Sequence, residues 1–371
     1  MPMSLLFDPL AIRKATLPNR IVVAPMCQYA AEAGLVRPWH LMHYGTLVAG
    51  GVGMLVIEAT GVSPEGRISP ACLGLYDDAS EAAFADLVKT LKTFGNGLIS
   101  VQLAHAGRKA STSLKTGTSY LAPDEGGWPL IGPSPIAFSD RWAAPSEASQ
   151  SELEYLVKAF SDAASRAERA GFDAIEVHSA HGYLLNQFLS PLANQRTDRF
   201  GGTLENRMRF PLEVLGAVRK VWPEDKPLGF RISATDWVEG GFTIDEAVTY
   251  VGKVKDLGYD FVCVSSGGMV PDAPIPGTQP GYQLAMAERI RKETGILVRA
   301  VGMIADPLQA EAVLKNGQAD MIALGRAFLD DPRWVWRAAE ALKADFAYPF
   351  RYARCHPQAW PGAKLVRPGN S

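Results

Sequence analysis

Cysteine is scarce and scattered in this chain. Its 371 residues hold Cys27, Cys72, Cys263 and Cys355 with no C-x-x-C pair, which argues against a zinc ribbon, an iron-sulfur cluster or a disulfide framework. A charge of one sign is lacking too. With 37 basic and 39 acidic residues the formal charge is -2, so no overall field draws the chain to nucleic acid or an anionic membrane. No apolar run reaches the roughly 18 residues that a bilayer span needs. Met1 to Pro9 lacks the charged and apolar regions of a signal peptide, and a cytoplasmic location is expected. Neither G-x-G-x-x-G opening a helix nor G-x-x-x-x-G-K-[ST] occurs, so a Rossmann dinucleotide site and a P-loop are not indicated.

The chain has instead 47% apolar residues, 20% charged residues, 35 Gly and 26 Pro, the composition of a globular protein with many tight turns. Short β-branched apolar runs alternate with longer segments of helical period. The strand candidates are Arg20 to Ala24, Met54 to Thr60, Leu98 to Leu103, Ala174 to Ser179, Leu228 to Ser233, Phe261 to Ser265, Leu297 to Val301 and Met321 to Leu324. Each is apolar nearly throughout, as parallel strands covered on both faces must be. Helices are expected at Trp39 to Ala49, Ser80 to Phe94, Ser151 to Ala170, Arg209 to Val221, Thr243 to Leu257, Leu284 to Thr294, Pro307 to Asn316 and Pro332 to Ala344. Gly171, Gly258, Gly295 and Gly317 stand where helices should stop, and Asp306-Pro307 and Asp331-Pro332 where helices should start. Eight strands and eight helices predict a TIM-type (β/α)8 barrel as one domain over residues 1–371. Leu6 to Asn19 reads as a hairpin plugging its bottom. Residues 105–150, rich in Gly, Pro, Ser and Trp, form a long insertion after the third strand, most simply a lid over the catalytic face.

Chemistry in such a barrel gathers at the strand C-termini. Those ends carry Ala24-Pro25-Met26-Cys27-Gln28-Tyr29, Gln102, His105, His178-Ser179-Ala180-His181-Gly182-Tyr183, Arg231, Gly302 and Gly325-Arg326. His178 and His181 could bind a metal, but further ligands are missing, Asp236 being the nearest acidic candidate. Two neutral imidazoles serve better as donors to one carbonyl oxygen. Tyr183, a phenol beside them, is a candidate general acid. Arg231 interrupts an apolar strand and must meet an anion: an internal carboxylate, or the anionic edge of a reduced flavin. Val301-Gly302 and Gly325-Arg326 close the seventh and eighth strands, where barrels often build a phosphate site. Cys27 is too isolated for redox pairing, yet placed to touch whatever fills the mouth; alternatively it is an inert small hydrophobe.

These motifs, with Glu58-Ala59-Thr60, Gln102-Leu103-Ala104-His105-Ala106-Gly107-Arg108-Lys109, the run Gln195 to Arg207 and Leu324-Gly325-Arg326, resemble the old yellow enzyme family of FMN-dependent ene-reductases. Within it the chain is most similar to the bacterial branch that includes xenobiotic reductase A. The resemblance implies noncovalent FMN, with Ala24, Pro25, Met26, Cys27, Ala59, Gln102 and Arg231 around the isoalloxazine and Val301, Gly302, Gly325 and Arg326 at the phosphate. It implies NADPH or NADH as reductant and substrates with an activated C=C bond. His178 and His181 would hold the carbonyl or nitro oxygen, flavin N5 would deliver hydride to the β-carbon, and Tyr183 would protonate the α-carbon. Tyr29 would line the substrate pocket and Cys27 would tune the flavin. Within the tail, residues 345–371, Arg351-Tyr352-Ala353-Arg354 resembles the segment that sends an arginine into a neighbouring protomer's site, which implies a homodimer or a dimer of dimers with Arg354 as that arginine. Rival readings are a dienoyl-reductase-like flavoenzyme, a flavin-free lyase or aldolase with Lys109 as Schiff-base lysine, and a non-catalytic flavin-binding protein.

Overall fold

The computed structural model describes residues 4–115, 117, 119–277 and 279–366. Eight parallel strands close a barrel in sequence order. They are β1 (Ile21–Val23), β2 (Met54–Gly61), β3 (Leu98–Ala104), β4 (Ala174–Ser179), β5 (Leu228–Ser233), β6 (Phe261–Ser265), β7 (Leu297–Ala300) and β8 (Met321–Leu324). Pairing of Ile322 to Leu324 with Ile21 to Val23 shuts the circle. Nearly every strand residue is buried, because one face meets the barrel interior and the other meets helices. That double burial is why the runs lack polar alternation.

Around the barrel stand α1 (Pro38–Ala49), α2 (Asp78–Leu91), α3 (Gln150–Arg169), α4 (Leu204–Val221), α5 (Ile244–Asp256), α6 (Leu284–Thr294), α7 (Pro307–Lys315) and α8 (Trp334–Leu342). Local chemistry sets their starts: the side chains of Asp77, Ser149 and Thr243 accept from the backbone N–H of Ser80, Glu152 and Glu246, satisfying N–H groups that no helical turn can reach. Gly171, Gly258, Gly295 and Gly317 take the expected left-handed φ, between 64° and 92°. Asp306 caps α7 as expected. Asp331, however, accepts from the Arg333 N–H at 2.9 Å, so Asp331-Pro332 forms a turn and α8 starts only at Trp334. Two short helices, Leu184–Leu189 and Arg326–Asp330, also escape the sequence reading. Both are shorter than the window over which helical period can be recognised.

The N-terminal hairpin pairs Leu10–Ile12 with Ala15–Leu17. Ile12 and Leu17 pack with Met54, Phe261 and Met321, the lowest inward side chains of their strands, and so close the end opposite the strand C-termini. The insertion after β3 is threaded into that other end. Arg108 donates to the Met269 carbonyl at 2.7 Å and to the Ile136 carbonyl at 3.2 Å. Tyr120, Trp128 and Trp142 pack with Cys27 and Tyr183 against Ala59, Cys72 and Ala104, so this segment bears directly on the mouth.

Candidate active site

Register brings the polar strand ends together. Ala59 pairs with Gln102 and Gln102 with Glu176; one row further along, His178 pairs with Arg231 and Arg231 with Cys263. Partners in a parallel pair point the same way, so these side chains share the barrel interior. A bulge between Ile57 and Ala59 adds one residue to β2 and turns Glu58 outward. Its buried carboxylate meets the Tyr44 hydroxyl at 3.1 Å and His40 Nε2 at 3.3 Å, and accepts from the Gln28 N–H at 2.6 Å. That bond anchors the turn Cys27-Gln28-Tyr29, in which Tyr29 holds a left-handed φ of 52° and stands half exposed.

His178 stands near the end of β4 and His181 on the tight turn that follows it. The Ala180 N–H donates to His178 Nδ1 at 3.2 Å, which leaves the hydrogen of a neutral ring on Nε2. That atom faces His181 Nδ1 at 3.4 Å, and His181 Nε2 lies 2.8 Å from the Ser265 hydroxyl. The single Ser265 hydroxyl hydrogen has two acceptors in reach, His181 Nε2 and the more distant Gln283 Oε1 at 3.5 Å; directed at the nearer His181, it puts the His181 hydrogen on Nδ1 and makes both facing nitrogens N–H donors. Burial, and next the Arg231 charge, hold both imidazoles well below the usual histidine range, so they donate without being acids themselves. The Tyr183 ring stands edge-on to His178 with centroids 4.9 Å apart. Burial is the main force pushing its phenol well above the ordinary tyrosine value.

The turn is clamped from two sides. Gly182 and Gly268 approach so closely that a Cβ on Gly182 would lie 2.1 Å from the Gly268 carbonyl oxygen. Lys109 Nζ bridges them, donating to the His181 carbonyl at 2.8 Å and the Gly268 carbonyl at 2.9 Å, and rides 5.1 Å above the Tyr183 ring. Burial, then Arg108, brings its amine down to about 7.

Arg231 is 8% exposed, its Nε buried with no hydrogen-bond partner, and among the described residues it has no ion pair. Among the described residues no carboxylate pairs with it; Glu176 pairs instead with Arg299. A buried guanidinium aimed at no protein anion fits an anionic ring edge. Val301 and Gly302 follow β7 and Gly325 follows β8, its neighbour; Gly302 has φ 113°, and Gly325 opens the helix that begins with the exposed Arg326. Cys27 is less isolated than its spacing suggests: it packs in one cluster with Cys72, and the interaction of the two thiols, ahead of burial, drives it well above the ordinary thiol value. Two distant cysteines meet only because β2 and the loop after it return to β1. Asp236 accepts from the Ser190 hydroxyl at 2.6 Å and the Phe242 N–H at 2.8 Å, tying down loops rather than facing the histidines. Arg354 stands exposed on a short 3-10 helix, Phe350–Cys355.

Residues 5–345 match the NADH:flavin oxidoreductase / NADH oxidase family. The chain belongs to that family. It is the old yellow enzyme family that the motifs resemble, and it makes this chain an oxidoreductase with FMN as cofactor and a nicotinamide nucleotide as reductant. Among its relatives, the NADPH dehydrogenase of Geobacillus thermodenitrificans is 46% identical over 353 residues, covering 95% of this chain and 98% of that one. The NADPH dehydrogenase of Bacillus subtilis is 42% identical over 351 residues, covering 94% and 98%. Morphinone reductase solved in complex with tetrahydroNAD superimposes with a TM-score of 0.76 at 28% identity, over 93% of each chain. A flavin-free Schiff-base lyase is thereby set aside, and Lys109 is engaged with two carbonyls.

Sequence reasoning gave Glu58 no role of its own and missed Glu176, Ser265, Gln283 and Arg299. Glu176 and Arg299 were findable, since each interrupts an apolar strand just as Arg231 does. Ser265 and Gln283 carry no such signal: Gln283 donates to the Val301 carbonyl at 2.8 Å and accepts from Ser266 at 2.6 Å, contacts that only folding creates.

Proposed function

We propose that this protein is an ene-reductase that reduces activated C=C bonds of α,β-unsaturated carbonyl or nitro compounds, with NADPH preferred as the relatives' names suggest. The observation that carries the reading is the convergence of His178 Nε2 and His181 Nδ1 beside the Tyr183 phenol. Two neutral N–H donors on one oxygen stabilise the charge that gathers there as the double bond is reduced. Because both are fixed by their other nitrogens, little reorganisation is needed. Tyr183 Oη gives its proton to the α-carbon. Its high proton affinity keeps it in the acid form throughout the neutral range.

When bound, FMN supplies the hydride that it has received from the nicotinamide nucleotide. Ala24, Pro25, Met26, Cys27, Ala59, Gln102 and Arg231 would hold its ring, Arg231 lending the permanent cation, and Val301, Gly302, Gly325 and Arg326 its phosphate. Tyr29 would close the substrate pocket under the insertion of residues 105–150. In a homodimer or dimer of dimers, Arg354 would reach the neighbouring pocket; Arg354→Ala should then raise KM for enone without weakening FMN binding, and sedimentation showing a monomer would refute that role.

The whole reading is tested by incubating the purified protein with FMN and following NADPH oxidation with 2-cyclohexenone, a maleimide and a nitroalkene. A yellow protein that forms the saturated product with equimolar NADPH consumption is expected. Failure to take up FMN, or NADPH oxidation that none of the three accelerates, would overturn it.

A further inference from the structure

Beneath the histidines the barrel interior holds a charged pair that the reaction above does not use. Glu176 and Arg299 form an ion pair across the barrel, β4 to β7, with both side chains wholly buried. Arg299 otherwise has soft apolar neighbours, the Phe261 ring at 5.2 Å and Met54 Sδ at 3.7 Å. Burial draws its guanidinium down to about 9, so it stays protonated at neutral pH. A layer filled by apolar side chains of similar volume would usually be no less stable than such a pair. Its retention calls for another role.

Gln102 shows what that role is. Its Nε2 donates to Glu176 Oε1 at 2.6 Å; a carboxylate only accepts, so this bond decides which end of the amide faces down and leaves Oε1 as the acceptor at the mouth. Glu176 is also two residues below His178 on the same face of β4, while Arg299 and Arg231 both pair in register with Cys263. The carboxylate therefore lies under the place where negative charge collects on reduction, and Arg299 offsets it.

We propose that Arg299 and Glu176 are positioning residues for Gln102: the pair fixes the orientation of the amide and neutralises the carboxylate that fixes it, thereby setting how tightly flavin is held and at what potential. This rests on the reading that Gln102 borders the isoalloxazine. In the full-length protein, Arg299→Met exposes Glu176 as an unopposed anion. FMN affinity, from fluorescence titration of the apoprotein, should then fall about tenfold or more, and the midpoint potential of the bound flavin should become more negative. Glu176→Gln with Arg299→Met keeps an acceptor for Gln102 and removes both charges, so both quantities should return to within about threefold of native affinity and near the native potential. In a Gln102→Leu background, E176A/R299M should bind FMN no more weakly than E176Q/R299M, because the acceptor then has no amide to orient.

A native affinity and potential in Arg299→Met, with only a lower Tm, would overturn the proposal, as would a double variant that restores neither. Should Arg299→Met fail to fold, the charge-free pair E176Q/R299M and E176A/R299M decides: the second alone lacks the acceptor and should bind FMN more weakly, and equal affinities would refute the role. Native protein that takes up no FMN would sink the flavin reading itself, a result distinct from all of these.

Discussion

At the scale of single residues, the site works by refusing charge. His178 and His181 stay neutral because burial and Arg231 oppose protonation, and Tyr183 stays protonated because burial opposes ionisation. Replacing Tyr183 by Phe removes the proton donor proposed for the α-carbon while leaving the histidines in place. Stopped-flow measurement should show flavin reduction by NADPH near the native rate and enone reduction slowed about a hundredfold; equal slowing of both would argue against the assigned role. Cys27 is governed by the same logic. Its thiol is raised first by the interaction with the Cys72 thiol, so iodoacetamide should label it slowly at pH 7.5. Cys72→Ala, which removes that partner, should speed the labelling, as peptide mapping would reveal.

At the scale of elements, the turn after β4 is not self-supporting. His181 adopts a left-handed φ of 60°, a conformation that costs a non-glycine residue about 1 kcal/mol or more. It is held by Lys109, whose own position depends on the long insertion. Lys109→Met would fill the same space yet lose both hydrogen bonds to the His181 and Gly268 carbonyls. We expect kcat/KM for an enone to drop about tenfold with FMN affinity unchanged. Unaltered kinetics would mean that the glycine contact alone holds the turn. Glu58 plays the corresponding part for the Tyr29 turn, through its 2.6 Å bond from the Gln28 N–H.

Over the whole molecule, buried neutral histidines make the fold acid-sensitive. His105, wholly buried, is lowered by burial from 6.5 to about 4, and His178 and His181 shift in the same direction. Above pH 6.5 these rings are neutral in both folded and unfolded chains and contribute no pH dependence. Below it the unfolded chain binds protons that the fold refuses, so stability falls as pH falls. The loss continues down to the folded-state values, and His105 alone accounts for roughly 3 kcal/mol by pH 4. Denaturant midpoints measured from pH 7 to pH 4.5 should decline steadily, and His105→Gln should flatten part of that slope. A flat native profile would show that these imidazoles are hydrated.

The order of the barrel strands, and their bounds to within one residue, were legible in the sequence, because strands buried on both faces must be continuous apolar runs and helices between them must show a 3.6-residue period. The polar interruptions of those runs, His178, Arg231 and their neighbours, marked the mouth for the same reason: a polar group on a buried strand is costly unless it has a use. Which charges meet was decided only in three dimensions. The sequence could not assign Glu176 to Arg299 rather than Arg231, nor bring Cys72 to Cys27, nor set Ser265 against His181. Pairing across a closed barrel depends on register and stagger between strands far apart in the chain, and no local pattern of residues encodes that.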